Sequence, residues 1–85
     1  MGNDKINNAN TKKYQNEFET KLISKLIEAR ESKGLSQREL AKISGIKQPA
    51  IARLENMRST PQIDTLFRLL ASLGYTLSIV PIEIK

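Results

Sequence analysis

The sequence predicts a mainly α-helical fold of four helices followed by one C-terminal β-strand. Apolar residues recur at helical spacing in four stretches between Tyr14 and Gly74. In the segment after Gly74, apolar and polar residues alternate as they do in a strand. An 85-residue chain forms one small domain, whose core buries only about 60% of the unfolded surface. We therefore expect further support from a partner subunit.

Helix 1 is predicted between Tyr14 and Lys33, with Gly34 as a left-handed stop. Its apolar stripe consists of Phe18, Leu22, Ile23, Leu26 and Ile27. Residues 1–13 are polar and rich in Asn and Lys, so burial cannot offset the entropy of ordering them. We predict that they form a mobile arm, with an arm that binds the minor groove or a partner as the alternative.

Helix 2 begins after Ser36, because Ser36 and Glu39 have the spacing of a capping box. It is expected to run to about Ile43, where Gly45 permits the tight turn to helix 3 at about Gln48. The residues expected to face the core are Leu40, Ile43, Ile51 and Leu54.

Helix 4 is predicted to begin at Thr60-Pro61 and to end at Gly74. Its expected apolar face consists of Ile63, Leu66, Phe67, Leu70 and Leu73. Helices 1 to 4 together define a predicted domain at residues 14–74.

Residues 75–85 are predicted to form a dimerising strand, because a single strand cannot satisfy its own backbone groups. The simplest partner is the same strand of a second chain, paired antiparallel about a two-fold axis. Pro81 ends the regular ladder, and the apolar phase shifts there to Ile82 and Ile84. The residues expected at the dimer contact are Tyr75, Leu77, Ile79 and Val80. The alternative is a floppy apolar tail.

The composition limits the classes of partner and activity that are expected for this chain. The net charge is +5, and the stretch from Lys33 to Arg58 contains six cations and two anions, which favours a polyanionic partner. The chain has no cysteine and no histidine, so we expect no metal site, no cofactor and no histidine-based catalysis. Ser, Lys and carboxylates are present, but none has the spacing of a nucleophile and its base, so we expect no enzymatic activity. No apolar run has the length of a membrane span, and we expect a cytoplasmic, nucleoid-associated protein with no membrane partner.

Two short helices joined by a turn with glycine, with small Ala41 in the first, are typical of a helix-turn-helix. On the second helix, the side opposite the apolar residues is expected to carry Lys47, Gln48, Ala50 and Arg53. Glutamine pairs with adenine, arginine pairs with guanine, and an alanine methyl contacts thymine. The pattern therefore predicts a helix that reads double-stranded DNA.

Three groups of residues, at 36–41, 44–46 and 51–56, strongly resemble those of the phage-repressor-like (Cro/C1, or XRE) helix-turn-helix family. The likeness covers about residues 20–74. It implies that Gln37 binds a phosphate and braces Gln48, and that Lys47, Ala50 and Arg53 lie at or beside base-reading positions. It further implies that Asn56 and Arg58 bind the DNA backbone.

The same resemblance implies that Arg30 and Glu55 form a buried ion pair with a structural role. Pro49 stands where the family often has Ser, Gln or Thr. Since its side chain cannot donate a hydrogen bond, we count Pro49 in the DNA-binding surface but expect fewer direct base contacts there.

A short domain of this family that ends in a strand resembles the HigA-like and HipB-like antitoxins. The resemblance implies a protein that represses its own operon and neutralises a partner toxin. The paired strand adds a homodimer, which would bind a palindromic operator. Two recognition helices of such a dimer would lie about 34 to 36 Å apart. The alternatives are a stand-alone repressor of the phage type and a protein-interaction module whose helix-turn-helix no longer binds DNA.

Overall fold

The structure, a computed structural model, describes the backbone of residues 2–81 and the side chains of residues 12–81. Within this range the chain forms four helices, in agreement with the predicted fold. They are α1 (Gly2–Ser32), α2 (Gln37–Ser44), α3 (Gln48–Glu55) and α4 (Ile63–Ser72). The fourth helix begins at Ile63 and not at Thr60-Pro61, because Gln62 occupies the N-cap position.

Helix α1 is longer than the sequence suggested. It extends back to Gly2, so the predicted helix boundary near residue 13 is wrong. The reason is that neither glycine nor proline occurs between Asn3 and Lys33 to end the helix. Tyr14 and Phe18 are 70% and 62% exposed, so this half of α1 adds little to the core. The arm's side chains at residues 1–11 lie outside the described residues.

The capping box at the start of α2 is confirmed. The backbone N–H of Glu39 donates to Ser36 Oγ at 3.0 Å, and the backbone N–H of Ser36 donates to Glu39 Oε1 at 2.8 Å. At the other end, Gly45 adopts a φ of 78° and its N–H donates to the carbonyl of Ala41. These two ends hold α2 to eight residues and place it directly against α3.

All four helices contribute to one core. Leucine and isoleucine side chains with at most 2% exposure lie at its centre, and burying each contributes about 1.5 to 3 kcal/mol. They are Ile23, Leu26, Leu40, Ile51, Leu69 and Leu73. Four residues of the predicted apolar faces are more than half exposed, namely Phe18, Ile43, Ile63 and Phe67. In α4 the buried face is rotated toward Leu69, which the predicted stripe omitted.

The predicted C-terminal strand is not supported. Residues 75–81 carry no regular secondary structure, and no strand occurs between residues 2 and 81. Among the described residues of a single chain, no neighbouring strand is available to complete a ladder. Leu77 packs against the core, whereas Ile79 is 99% exposed. The predicted phase shift at Ile82 and Ile84 lies outside the described residues.

None of the described helices combines the length and the apolar character needed to cross a bilayer.

The capping box generates a prediction about acid stability. The backbone N–H of Ser36 lowers the pKa of Glu39 below its usual value, with help from the Ser36 hydroxyl. A carboxyl whose pKa is lower in the folded state stabilises that state above its unfolded pKa of about 4.3, and the contribution disappears as the pH falls through the folded value. We therefore expect the free energy of unfolding to fall less with acidification in Glu39→Gln than in the wild type.

Urea unfolding at a series of pH values measures this difference. Glu17→Gln, which removes an exposed carboxylate of α1 outside any cap, is the matched control and is expected to keep the wild-type pH dependence. A Glu39→Gln variant with the same acid slope as this control would contradict the assigned role.

Candidate nucleic-acid interface

Helix α3 presents one face to solvent because two residues fix its rotation. Ile51 is fully buried and Leu54 is 3% exposed, so the opposite side of the helix faces outward. Pro49 and Arg53 lie one turn apart on that side, and both are exposed. Lys47 is the N-cap residue and is also exposed, and Pro49 fits the first turn because no intrahelical bond is lost there.

The exposed face differs in detail from the predicted one. Gln48 and Ala50 are half-buried, so they lie at the two edges of the face and not at its centre. The residue at the centre is Pro49, whose ring offers only apolar contact. Ala52 is half-buried as well and was not among the predicted contacts. The face therefore combines one cation with a small apolar surface and a glutamine at its edge.

An ion pair fixes α3 against α1. The Nε of Arg30 donates to Glu55 Oε2 at 2.7 Å, and its Nη2 donates to Glu55 Oε1 at 2.9 Å. Its Nη1 donates to the carbonyl of Leu35 at 2.7 Å. One guanidinium thus joins α1, the connection to α2, and the C-terminal end of α3.

The pair is buried. The side chains of Arg30 and Glu55 are 11% and 5% exposed, and the hydrogen bonds from the guanidinium to Glu55 raise the pKa of Arg30 above its usual value. The structural ion pair implied by the resemblance is present. Removing either partner would leave an uncompensated buried charge, which costs about 3 to 5 kcal/mol of the free energy of unfolding.

Two glutamines extend this network to the start of α3. Gln48 Nε2 donates to Gln37 Oε1 at 2.9 Å, and Gln37 Nε2 donates to Glu55 Oε1 at 2.8 Å. The first contact is the bracing implied by the resemblance. The second was not predicted, because residues 18 positions apart on different helices show no sequence pattern that would join them. No buried side-chain nitrogen or oxygen among the described residues lacks a hydrogen-bond partner.

The loop after α3 carries Asn56 and Arg58, the two residues that are predicted to bind the DNA backbone. Met57 adopts a left-handed conformation with a φ of 60°, and the N–H of Arg58 donates to the carbonyl of Arg53 at 2.8 Å. This arrangement ends the helix and leaves Asn56 and Arg58 exposed. Both side chains are thus free to reach a phosphate beside α3.

Comparisons with known proteins agree with this architecture. A helix-turn-helix family model matches residues 26–80, which is more than half of the chain. The chain therefore belongs to this helix-turn-helix family.

Two curated relatives are regulators. An uncharacterised HTH-type transcriptional regulator of Haemophilus influenzae is 53% identical over 64 residues, which cover 75% of this chain and 65% of that protein. The HTH-type transcriptional regulator PuuR of Escherichia coli is 43% identical over 54 residues, covering 64% of this chain and 29% of PuuR. The chain thus spans less than two thirds of the length of each.

A solved structure covers more of the chain. A chain of a toxin-antitoxin module from Streptococcus pneumoniae superposes with a TM-score of 0.72 and 44% sequence identity. The match covers 85% of this chain and 80% of that one. The likeness therefore includes most of both chains.

The buried ion pair generates a stability prediction. Arg30→Ala is expected to lower the free energy of unfolding by about 3 to 5 kcal/mol, because the carboxylate of Glu55 loses its buried partner. Lys33→Ala removes an exposed cation just after the same helix and is expected to change it by less than about 0.5 kcal/mol. Urea denaturation followed by circular dichroism compares the two. Equal, small losses in both variants would show that the ion pair has little structural weight.

Proposed function

We propose that this protein is a sequence-specific DNA-binding transcriptional repressor. The observation that carries the proposal is the outward face of α3, on which Arg53 is exposed while Gln48 is held at the edge by Gln37. In a major groove, an arginine pairs with guanine and a glutamine with adenine. The surrounding excess of cations between Lys33 and Arg58 supplies the attraction to phosphates that dominates affinity.

The location of each residue on or beside α3 determines whether it contacts a base or a phosphate. Gln48 and Arg53 are on the face that enters the groove and read base edges, with Pro49 and Ala50 in apolar contact. Lys47, Asn56 and Arg58 flank the two ends of α3 and bind phosphates, as does the second N–H of the Gln37 amide. Phosphate contacts fix the register of the helix, whereas base contacts select the sequence.

Two arginine variants separate these roles. Arg53→Ala is expected to weaken binding by about 1 to 3 kcal/mol and to relax the preference at one base position. Arg58→Ala is expected to weaken binding to all sequences alike and to reduce the dependence of affinity on salt. Selection from random duplexes, followed by fluorescence anisotropy at several salt concentrations, measures both effects.

The control is Lys21→Ala, which removes one exposed charge from α1 outside this face. It is expected to leave the selected sequence unchanged. Equal loss on every sequence for Arg53→Ala would refute its base-reading role. Binding that is weak and insensitive to salt in the wild type would favour the alternative of a protein-interaction module.

The proposed repressor acts as a homodimer that joins at its C-terminal segment. No backbone hydrogen bond to the rest of the described chain involves residues 76–81, so their backbone groups are free to pair with a second copy.

An apolar groove of about 550 Å³ adjoins this segment. The groove is lined by Leu22, Lys25, Glu28, Ala29, Ser32, Leu70, Tyr75, Thr76 and Leu77. In an antiparallel pair centred on Ser78, Val80 of one copy lies opposite residue 76 of the other, at the rim of the groove. Because such a dimer has a two-fold axis, it matches the two half-sites of a palindromic operator.

Charged substitutions test the dimer. Ile79→Asp combined with Val80→Asp is expected to give a folded monomer, because both side chains are exposed in the single chain and would be buried only between two copies. Ile63→Asp alters an apolar residue of α4 that is 76% exposed and is expected to leave the dimer intact. Sedimentation equilibrium distinguishes the two results. A double variant that sediments as the wild-type dimer does would exclude this interface.

We further propose that the repressor is the antitoxin of a toxin-antitoxin pair. Support comes from the solved chain of a toxin-antitoxin module, which is 44% identical and of similar extent. The second candidate is a stand-alone repressor, which is favoured by the regulators among the curated relatives. Co-expression of the tagged chain with the product of the adjacent reading frame tests the choice. An antitoxin is expected to retain that product through purification and to abolish its toxicity, whereas a stand-alone repressor does neither.

A further inference from the structure

We propose that Glu55 is a specificity-determining positioning residue, which acts through Gln37 to set the edge that the amide of Gln48 presents to DNA. The inference rests on the proposed DNA-binding function. It also goes beyond the structural role of Glu55, because the buried carboxylate of the ion pair then contributes to the choice of base.

The first step is the orientation of Gln37. An ionised carboxylate only accepts hydrogen bonds, so the amide group that approaches Glu55 Oε1 is the Nε2 of Gln37, at 2.8 Å. Glu55 is itself fixed, because Arg30 donates to both of its oxygens and its side chain is 5% exposed. Reversing the Gln37 amide would place its carbonyl oxygen against a buried carboxylate.

The second step transfers this orientation to Gln48. With its Nε2 directed at Glu55, Gln37 offers its Oε1 to α3, and that oxygen accepts a hydrogen bond from Gln48 Nε2 at 2.9 Å. The amide of Gln48 therefore keeps its carbonyl oxygen and one N–H for a ligand. Two amide orientations are set by a single charged acceptor.

The consequence for DNA concerns adenine and guanine. Adenine offers one acceptor and one donor in the major groove, whereas guanine offers two acceptors. A glutamine with a free carbonyl and a free N–H matches adenine. In the reversed orientation, its carbonyl would accept a hydrogen bond from Gln37 and both of its N–H groups would be free, which suits the two acceptors of guanine. Glu55 thus favours adenine at the position that Gln48 reads.

Nuclear magnetic resonance on the free wild-type protein tests the orientation without DNA. A scalar coupling across the hydrogen bond from Gln48 ¹⁵Nε2 to Gln37 ¹³Cδ is expected. A coupling in the opposite direction, from Gln37 nitrogen to Gln48 carbon, would overturn the proposal, and so would the absence of both. This measurement is independent of whether the protein binds DNA.

Selection from random duplexes tests the consequence. The base position read by Gln48 is identified as the one whose preference disappears in Gln48→Ala. At that position, Gln37→Leu is expected to lower the ratio of adenine to guanine by about tenfold or more, because a bidentate pair discriminates by roughly this factor. Gln37→Glu removes the donor that Glu55 accepts and places two carboxylates together, so it is expected to lose the preference as Gln37→Leu does.

Glu55→Gln addresses the carboxylate directly. A neutral amide at this position both donates and accepts, so we expect the ratio to fall as it does in Gln37→Leu. If that variant does not fold, the coupling in the wild type and the base preferences of the two Gln37 variants decide whether the inference holds. Retained preference in Gln37→Leu would overturn the inference. A wild-type protein that selects no sequence at all, with the coupling from Gln48 to Gln37 intact, would instead refute the proposed DNA-reading function.

Discussion

The ion pair between Arg30 and Glu55 is the interaction on which the rest of the structure depends. Helix α3 has only eight residues, too few to be stable alone in water, and its two deeply buried side chains fix its rotation but not its position along the axis of α1. The guanidinium supplies that second constraint by binding Glu55 and the carbonyl of Leu35. Burial makes the constraint strong, because neither charge has water as an alternative partner.

The same carboxylate connects stability to recognition. Glu55 accepts from Gln37 as well as from Arg30, and Gln37 in turn holds Gln48. A hydrogen-bonded chain therefore runs from the core to the edge of the exposed face. Side chains that are locked in this way before a ligand arrives lose less conformational entropy on binding. The small size of the domain thus does not prevent a preorganised reading surface.

Much of this fold follows from local sequence features. The capping box at Ser36, the glycine stops at Gly34 and Gly45, and the helical spacing of apolar residues each depend on neighbours within a few positions. They define four helices correctly. Apolar content does not mark the start of α1, because the helix extends through polar residues as far as Gly2 where no glycine or proline interrupts it.

Other features depend on tertiary contacts and could not be predicted from the sequence. The rotation of α4, which buries Leu69 and exposes Phe67, is decided by packing against α2 and not by its own stripe. A strand at residues 75–80 requires a partner backbone, which residues 2–81 of a single chain do not provide. The bond from Gln37 to Glu55 joins two helices through an amide and a carboxylate, and neither residue has a sequence neighbour that implies the other.

We propose that α3, held by the buried network, is the DNA-reading element of this protein. Mapping of chemical shifts tests it most directly, with isotope-labelled protein and a duplex that carries the DNA upstream of its own coding region. The side-chain resonances of Gln37, Gln48 and Arg53 are expected to shift on binding, while those of Tyr14 and Phe18 are expected to stay unchanged. Shifts confined to α1 and the C-terminal segment, with α3 unaffected, would contradict it.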